Sequence, residues 1–397
     1  MLDWLRRHDP GRVFIETPDE TLTFGAISEA VDERPVEGVE IVQPALDLRS
    51  VIDLLAVMGK GSAVISERGA KTVSIDPAGA ASVVFTSGSS GGRKGVRLTL
   101  DNWEAAAKAS MEHLGHGPDD TWLLALPLHH VAGLSIIVRS AYSGGAVRML
   151  PRFDPVTFAA HLRRGVTLAS MVPTMLGRVL EVGPGAFQGL KAVLLGGGPI
   201  PDRLLEQAHA AGIPVLPTYG LTETGGQVAT LRPGEPLENK AYPLPGVMLR
   251  IEHGGQIAVR GPMVSPGYVG EPDRGAEDWL VTGDLGTIDG DGALRVTGRA
   301  DTIIVSGGEN IDPAVVEAAV IRVTGVEEAL VAGLASDRWG TETVCLYVGE
   351  AEPSRIEAEL KDILPRFMIP KRWLQVSDLP MTPLGKPDRA GAARRFT

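Results

Sequence analysis

The chain has few of the features that mark secreted, membrane-spanning and nucleic-acid-binding proteins. Its 397 residues include one cysteine, which excludes an intramolecular disulfide and the disulfide-rich secreted domains. No apolar run approaches the roughly 18 residues of a membrane-spanning helix. The formal net charge of −11 lacks the basic excess that is typical of nucleic-acid-binding proteins. We therefore expect no nucleic-acid partner and no insertion into membranes.

What remains is the composition of an ordinary globular protein. Hydrophobic residues make up 44% of the chain and charged residues 22%, which is enough apolar material for a packed core. The length exceeds the roughly 250–300 residues at which a single core stops growing, so we expect more than one domain. Charges in the first ten residues interrupt the apolar core that a signal peptide needs, and this predicts a cytoplasmic protein.

Short apolar runs alternate with helix-like segments along the chain, as in layered α/β proteins. The patterns predict strands at 82–85 and 96–100, followed by a helix over 102–114 with Asp101 as its N-cap. The apolar run around Cys345 predicts an inert thiol in a buried strand. Further helices are expected at 154–164, 201–211, 312–324 and 353–364.

The segment between the first two of these strands is rich in glycine, hydroxyl groups and cations. Glycines let the backbone approach an anion closely, hydroxyls donate hydrogen bonds, and Lys94 supplies a point charge. The segment is therefore predicted to be a phosphate-binding hairpin loop, with a flexible Gly/Ser loop as the alternative. Its candidate phosphate contacts are Thr86, Ser87, Gly88, Ser89, Ser90 and Lys94.

Two widespread nucleotide-binding motifs are absent from this loop. A Walker loop needs Gly-Lys followed by Ser or Thr, but the Gly-Lys pairs at 59–60 and 385–386 precede Gly and Pro. The loop also has no G-x-G, so it is not the dinucleotide fingerprint. Its sequence instead resembles the phosphate loop of the adenylate-forming superfamily, which contains acyl-CoA synthetases, adenylation domains and beetle luciferases. It departs from that pattern by carrying Arg93 in place of a proline.

Other signatures of the superfamily follow in the superfamily's own order, which chance does not explain. They are the segments 127–133 (Pro-Leu-x-His-x-x-Gly), 196–199, 218–224 (with Tyr-Gly-x-Thr-Glu), 282–284, 298–301 continuing to 306–311, and 380–389. The resemblance implies an α/β fold with a large layered N-terminal domain, residues 1–299, and a small, mobile α+β C-terminal domain, residues 300–397, hinged at Asp301. The N-terminal domain is expected to be shortened at its start, because few residues precede the phosphate loop. A second copy of the chain, in a homodimer, is an expected partner.

The resemblance also implies a reaction, in which ATP activates a carboxylate as an acyl adenylate and CoA then takes the acyl group. ATP, Mg²⁺ and CoA are the expected small-molecule partners, with Glu223 as metal ligand and Lys386, Thr222 and His130 as further catalytic residues. Gly307 and Gly308 are expected at the CoA thiol arm. The implied nucleotide contacts beyond the phosphate loop are Gly196, Gly197, Gly198, Pro199, Thr218, Tyr219, Gly220, Asp284 and Arg299.

The acid is indicated by the segment 126–140, which resembles that of the o-succinylbenzoate:CoA ligases of menaquinone biosynthesis. Arg139 lies there in an otherwise apolar helical run, where an unpaired cation is costly. Its partner is either the retained carboxylate of a two-carboxylate substrate or an internal Asp or Glu. The resemblance also implies His130 and Gly197 as substrate-binding residues. Two alternatives stay open, namely a ligase for another aryl or medium-chain acid and a non-catalytic nucleotide-binding relative.

Overall fold

The structure is a computed structural model that describes residues 1–67, 75–86, 94–336, 338–381 and 387–396. The described chain falls into two compact units. The N-terminal unit takes in residues 1–250, 258–281 and 288–295, and the C-terminal unit takes in residues 251–257, 282–287 and 296–397. None of the helices in the described ranges has both the length and the apolar run that crossing a bilayer requires.

The helices, in chain order, are α1 (Leu2–Arg6), α2 (Phe24–Glu33), α3 (Leu48–Lys60), α4 (Leu100–Leu114), α5 (Val131–Ser143), α6 (Pro155–Leu162), α7 (Pro173–Val182), α8 (Asp202–Ala210), α9 (Pro313–Ile321), α10 (Pro353–Leu360) and α11 (Arg389–Arg394). The strands are β1 (Val13–Glu16), β2 (Thr21–Thr23), β3 (Val39–Val42), β4 (Ser62–Ile65), β5 (Ser82–Phe85), β6 (Gly95–Leu98), β7 (Thr121–Leu124), β8 (Ala146–Met149), β9 (Leu168–Met171), β10 (Ala192–Leu195), β11 (Val215–Leu221), β12 (Gly226–Thr230), β13 (Tyr242–Pro243), β14 (Met248–Ile251), β15 (Gln256–Arg260), β16 (Gly267–Tyr268), β17 (Leu280–Ile288), β18 (Leu294–Arg299), β19 (Ile304–Ser306), β20 (Glu309–Ile311), β21 (Val326–Ser336), β22 (Gly340–Gly349) and β23 (Arg372–Gln375).

Two sheets organise the N-terminal unit. The larger has the order β13-β12-β11-β10-β9-β7-β8-β1-β2, and its middle strands from β11 to β1 run parallel. The second has the order β16-β6-β5-β4-β3, in which β5 and β6 form an antiparallel pair. Strands such as β10 and β4 are buried along their whole length, as expected for parallel strands covered on both faces. One hydrophobic cluster joins residues of both sheets and of the helices around them.

The C-terminal unit is built on the three-stranded sheet β21-β22-β23 and the hairpin β19-β20. Alternate residues of β22 point to opposite faces, as strand geometry requires. Cys345 and Tyr347 pack with α9 and α10, whereas Val344 and Leu346 pack with α11. The predicted burial of Cys345 is confirmed, and burial raises the pKa of its thiol.

The predicted helices are present, with ends that differ by one to a few residues from the predicted ends. The predicted N-cap Asp101 is wrong, because α4 begins at Leu100, two residues before the predicted start, and is capped by Thr99. The Thr99 hydroxyl accepts from the Asn102 amide at 3.1 Å, and the Asn102 side chain accepts from the Thr99 amide at 3.0 Å. This reciprocal pair satisfies two backbone donors, whereas Asp101 alone would satisfy one.

Candidate active site

The predicted phosphate loop begins and ends on paired strands. Phe85 of β5 lies opposite Gly95 of β6, and the Thr86 amide donates to the Lys94 carbonyl at 3.0 Å. Thr86 and Lys94 therefore close the two ends of a hairpin-type loop. Ser87, Gly88, Ser89 and Ser90, predicted as phosphate contacts, and Arg93 lie outside the described residues.

Glu223, the predicted metal ligand, lies in a tight turn at the end of β11. The Thr224 hydroxyl donates to the carbonyls of Leu221, at 3.1 Å, and Gly226, at 2.9 Å, which fastens the turn from inside. Gly225 has φ of 64°, a left-handed conformation that favours glycine. Thr222 and Glu223 are both half-buried, so the turn presents the carboxylate from a fixed backbone.

The structure places Glu223 and Lys94 around one aromatic side chain, Tyr268. The Tyr268 hydroxyl donates to Glu223 Oε1 at 2.8 Å, and Lys94 Nζ lies 4.6 Å from the centre of the Tyr268 ring. Lys94 Nζ also lies 3.3 Å from Glu271 Oε1. Sequence reasoning missed Tyr268 and Glu271, since they belong to none of the signatures above.

A single carboxylate of this kind fits a magnesium ion. In the part of the chain that the structure describes, no three His, Cys, Asp or Glu side chains cluster to form a protein cage for a metal. Mg²⁺ keeps several waters and binds through one or two carboxylates plus substrate phosphates. Glu223, a hard oxygen ligand held beside the end of the phosphate loop, has the chemistry for that role.

The predicted adenine turn lies against the strand that carries Thr218. A Cβ on Gly196 would lie 2.5 Å from the Thr218 carbonyl oxygen, so only glycine permits this approach. The Thr218 hydroxyl is 2.7 Å from that of Thr230, while Tyr219 is half-buried. The predicted nucleotide segments 196–199 and 218–220 thus form one residue group that is in contact through Gly196 and Thr218.

A second group of predicted residues meets within the C-terminal unit. Arg299 Nη1 donates to Asp284 Oδ1 at 2.8 Å, and its Nε and Nη2 donate to the two carboxylate oxygens of Asp301 at 2.8 and 2.9 Å. These bonds, with those to Asp301 foremost, raise the pKa of Arg299. Asp284 is buried, and its backbone amide donates to the Thr282 hydroxyl. The predicted ribose residues and the predicted hinge residue therefore share one ion-pair cluster.

His130 and Arg139, the predicted acid-binding residues, lie on α5 at different depths. His130 is the N-cap residue of α5, half-buried, with its ring centre 4.2 Å from that of His129. Arg139 is nine residues further along the same helix, about 13 Å at the usual rise per residue. The backbone positions of His130 and Arg139 are therefore well separated along the helix axis.

Arg139 is buried among polar groups that carry no charge. Its Nε and Nη2 donate to the carbonyl and hydroxyl of Ser135 at 3.0 and 2.7 Å, and its Nη1 donates to Gln227 Oε1 at 3.0 Å. Its guanidinium carbon lies 4.9 Å from the centre of the Trp122 ring. Within the described ranges no carboxylate pairs with it, and burial lowers its pKa to about 9.

The predicted CoA residues form a two-residue loop between β19 and β20. Gly307 and Gly308 have φ of 60° and 88°, the paired positive values that such a hairpin turn requires. The Gly307 amide donates to the Trp339 carbonyl at 3.0 Å. Lys386, predicted to be catalytic, lies outside the described residues.

Comparison with known sequences assigns both parts of the chain to described families. Residues 6–269 match the family described as AMP-binding enzyme, and residues 315–386 match the AMP-binding enzyme C-terminal domain. The 2-succinylbenzoate–CoA ligase of Bacillus thuringiensis subsp. konkukian is 38% identical over 322 residues, which is 76% of this chain and 67% of that protein. That of Listeria monocytogenes serotype 4b is 37% identical over 323 residues, or 78% and 69%.

Solved structures agree with the sequence comparison. The o-succinylbenzoate CoA synthetase of Bacillus subtilis in complex with the acyl-adenylate intermediate OSB-AMP matches with a TM-score of 0.86 at 28% identity, over 98% of this chain and 97% of that one. The same enzyme with ATP and magnesium gives 0.82 at 27% identity, over 98% of both. ATP-bound MatB from Rhodopseudomonas palustris gives 0.90 at 20% identity, over 100% and 99%, and shows the fold alone. The predicted fold class is confirmed.

Proposed function

Because the chain belongs to the AMP-binding enzyme family, as its motifs predicted, we propose that it is an ATP-dependent acid:CoA ligase whose acid is o-succinylbenzoate. The curated relatives at 37–38% identity carry that activity in their names. The structural observation that carries the proposal is the convergence of Glu223, Tyr268 and Lys94 at the end of the phosphate loop. ATP, Mg²⁺ and CoA are its co-substrates and cofactor.

In the first half-reaction a carboxylate oxygen of the acid attacks the α-phosphorus of ATP. The bond from that phosphorus to the bridging oxygen breaks, and pyrophosphate leaves. Negative charge then builds on phosphate oxygens, so the site needs cations and oriented dipoles rather than a nucleophile. Lys94 and Lys386 supply the charge, and Thr86, Thr222 and the loop residues Ser87, Gly88, Ser89 and Ser90 supply hydrogen bonds.

The nucleotide would be held by the two residue groups described above. Gly196 to Pro199 and the strand segment Thr218 to Gly220 would enclose the adenine, with Tyr219 stacking on it. Asp284 would accept hydrogen bonds from the ribose, and Arg299 would orient Asp284. Bound magnesium would neutralise phosphate charge, with Glu223 as its protein ligand.

In the second half-reaction the CoA sulfur attacks the acyl carbon, a thioester forms, and AMP leaves. Gly307 and Gly308 would leave room for the thiol arm, since neither has a side chain. Rotation at a hinge at Asp301, between domains 1–299 and 300–397, would move Lys386 away from the reacting groups and bring the loop of Gly307 and Gly308 to them. A cytoplasmic location and a homodimer are part of the same proposal, and the location rests on the charges in the first ten residues.

The choice of acid rests on the residues of α5. Arg139 is a buried cation, and its hydrogen-bond partners in the described chain are neutral. Two partners were predicted for Arg139, and no Asp or Glu of the described residues pairs with it. This favours the other predicted partner, the retained carboxylate of a two-carboxylate acid. His130 would lie at the reacting carboxylate, beside Gly197.

Pyrophosphate release, measured with o-succinylbenzoate and a panel of aryl and medium-chain acids, tests the proposal. We expect pyrophosphate release with o-succinylbenzoate and with no other acid of the panel. This release should be lost in Lys386→Ala and kept in Lys361→Ala, a control at an exposed lysine. Strong release with a different acid would keep the ligase chemistry but overturn the acid. No release with any acid would favour a non-catalytic nucleotide-binding relative.

A further inference from the structure

One short segment, residues 265–274, contacts both the metal-ligand turn and the strand that leaves the phosphate loop. We call it the bracket segment. The Ser265 amide donates to the Glu223 carbonyl at 2.7 Å, and the Ser265 hydroxyl donates to the Arg97 carbonyl at 2.6 Å. A single residue thus joins the backbone of the Glu223 turn to β6.

The bracket segment then runs along β6 as an added strand. Gly267 lies opposite Arg97 and Tyr268 opposite Val96 in antiparallel register. The Val269 amide donates to the Gly95 carbonyl at 2.8 Å. This pairing fixes the Tyr268 backbone one step from the end of the phosphate loop.

Side chains anchor the bracket segment at its far end. Arg97 is 4% exposed; its Nη2 lies 2.6 Å from Asp273 Oδ1 and donates to the Glu271 carbonyl at 3.3 Å. Arg274 Nη1 donates to the Ser265 carbonyl at 3.0 Å. Strand pairing, the buried guanidinium of Arg97 and the hydrogen bond from Arg274 back to Ser265 therefore hold the bracket segment. It is a rigid support for Tyr268.

From this support, the Tyr268 side chain reaches the carboxylate of Glu223. Its hydroxyl donates to Oε1 at 2.8 Å, and its half-buried ring lies under the Lys94 ammonium. A carboxylate has about four lone-pair positions on its two oxygens. A donor fixed on Oε1 limits rotation of the carboxylate and leaves Oε2 for a second ligand.

We propose that Tyr268 is a positioning residue that orients the Glu223 carboxylate toward the magnesium ion of the ATP complex. The inference rests on the proposed function, since it takes Glu223 as the metal ligand. Outer partners that orient a ligating side chain tune metal affinity. The role adds a residue from outside the sequence signatures to the nucleotide site.

The test is ATP binding by calorimetry to the full chain, with excess magnesium chloride and, separately, with EDTA. Tyr268→Phe removes the hydroxyl and keeps the ring beneath Lys94. We expect binding with magnesium to weaken about tenfold, the size for loss of one hydrogen bond to a charged group. Binding in EDTA should stay unchanged. Tyr142→Phe, a half-buried tyrosine on α5, is the matched control and should bind as the wild type in both buffers.

A second comparison separates orientation from a general structural role. Tyr268→Phe in a Glu223→Gln background should cost no further affinity, because the oriented carboxylate is already gone. Equal weakening in magnesium and in EDTA, or an additive loss in the double variant, would overturn the inference. If Tyr268→Phe bound ATP with wild-type affinity in magnesium, the inference would also be overturned, but the proposed function would stand. Absence of ATP binding by the wild type would instead sink the proposed function.

Discussion

Two arginines in the N-terminal unit are buried to nearly the same degree but have different neighbouring groups. Arg97 of β6 is 4% exposed and Arg139 of α5 is 5% exposed. Arg97 has the carboxylate of Asp273 at 2.6 Å. In the described ranges, Arg139 has the Ser135 and Gln227 oxygens and the Trp122 ring. One cation is therefore compensated by the fold and the other is solvated only by dipoles.

The difference separates a structural charge from one that suits a ligand. Burying a cation costs several kcal/mol unless an opposite charge and hydrogen bonds compensate it. The lowered pKa of Arg139, about 9, reflects burial with no opposing charge beside it. An anionic substrate group would remove part of that cost on binding, which is the physical basis for assigning Arg139 to the acid.

The largest effect is expected from removing the counter-ion of Arg97. Asp273→Ala leaves a buried guanidinium without its carboxylate, and we expect the free energy of unfolding to fall by about 2–3 kcal/mol. Urea unfolding at pH 7.5 measures this. Glu277→Ala removes an 89% exposed partner of Arg260 and should change stability by about 0.5 kcal/mol at most. Equal losses in the two variants would show that Arg97 is not a compensated structural charge.

The neighbourhood of Arg139 also predicts acid sensitivity. His116 is 3% exposed, packs edge-on against Trp122 at 5.6 Å, and its ring nitrogens have no hydrogen-bond partner in the described chain. Burial lowers its pKa to about 3, and the Arg139 charge adds to this. Below the unfolded pKa near 6.5 the unfolded chain binds a proton that the folded chain does not, so stability falls as pH drops.

At pH 5 the contribution of His116 should be about 2 kcal/mol of lost stability relative to pH 7.5. Asp120, which also acts on His116, stays ionised over this range: burial raises its pKa, but hydrogen bonds from Lys191, Thr167 and Gly117 outweigh burial and hold the pKa of Asp120 below its ordinary value. His116→Phe keeps the aromatic edge and should remove this contribution, leaving the acid sensitivity of His8, His113 and His161, whose pKa values burial also lowers. The exposed-residue control His209→Gln should retain the full loss. A His116→Phe profile parallel to the wild type would refute the assignment.

Local sequence patterns predicted the elements that carry the site better than the contacts between them. The strand 82–85 has the predicted bounds, and Gly307 and Gly308 lie in a tight turn. Thr99 was missed as the N-cap because Asp101, two residues later, has an equally good capping side chain. These are properties of neighbouring residues, which periodicity and capping chemistry can report.

Local sequence patterns did not predict the contacts between segments that are distant in the chain. Tyr268 lies 45 residues from Glu223, and Gln227 lies 88 residues from Arg139. A tyrosine in a Pro-Gly-Tyr-Val-Gly stretch is typical of a turn, and its hydroxyl partner follows from strand pairing that no local pattern specifies. That Arg139 would be buried was inferred from its apolar run, but its neutral partners required the fold.

Replacing Arg139 itself should have the opposite sign to losing Asp273. Arg139→Met removes an uncompensated buried charge, and we expect the chain to become more stable by about 1–2 kcal/mol, as found when buried ionic groups give way to apolar ones. The same variant should show a raised KM for o-succinylbenzoate in pyrophosphate release. Destabilisation with an unchanged KM would mean that Arg139 serves the fold, and the contrast between the two arginines would fail.

The smallest effect is a coupling between Arg97 and Asp273. If the damage in Asp273→Ala comes from the stranded cation, then adding Arg97→Met should restore about 1 kcal/mol, because no charge is left buried. Arg97→Met alone leaves Asp273 in water, where its side chain is already 69% exposed. Urea unfolding of the four members of this cycle measures the coupling. Additive losses would show that Arg97 stabilises the fold by packing along β6, as an apolar residue would. The charge of Arg97 would then be no basis for comparison with Arg139.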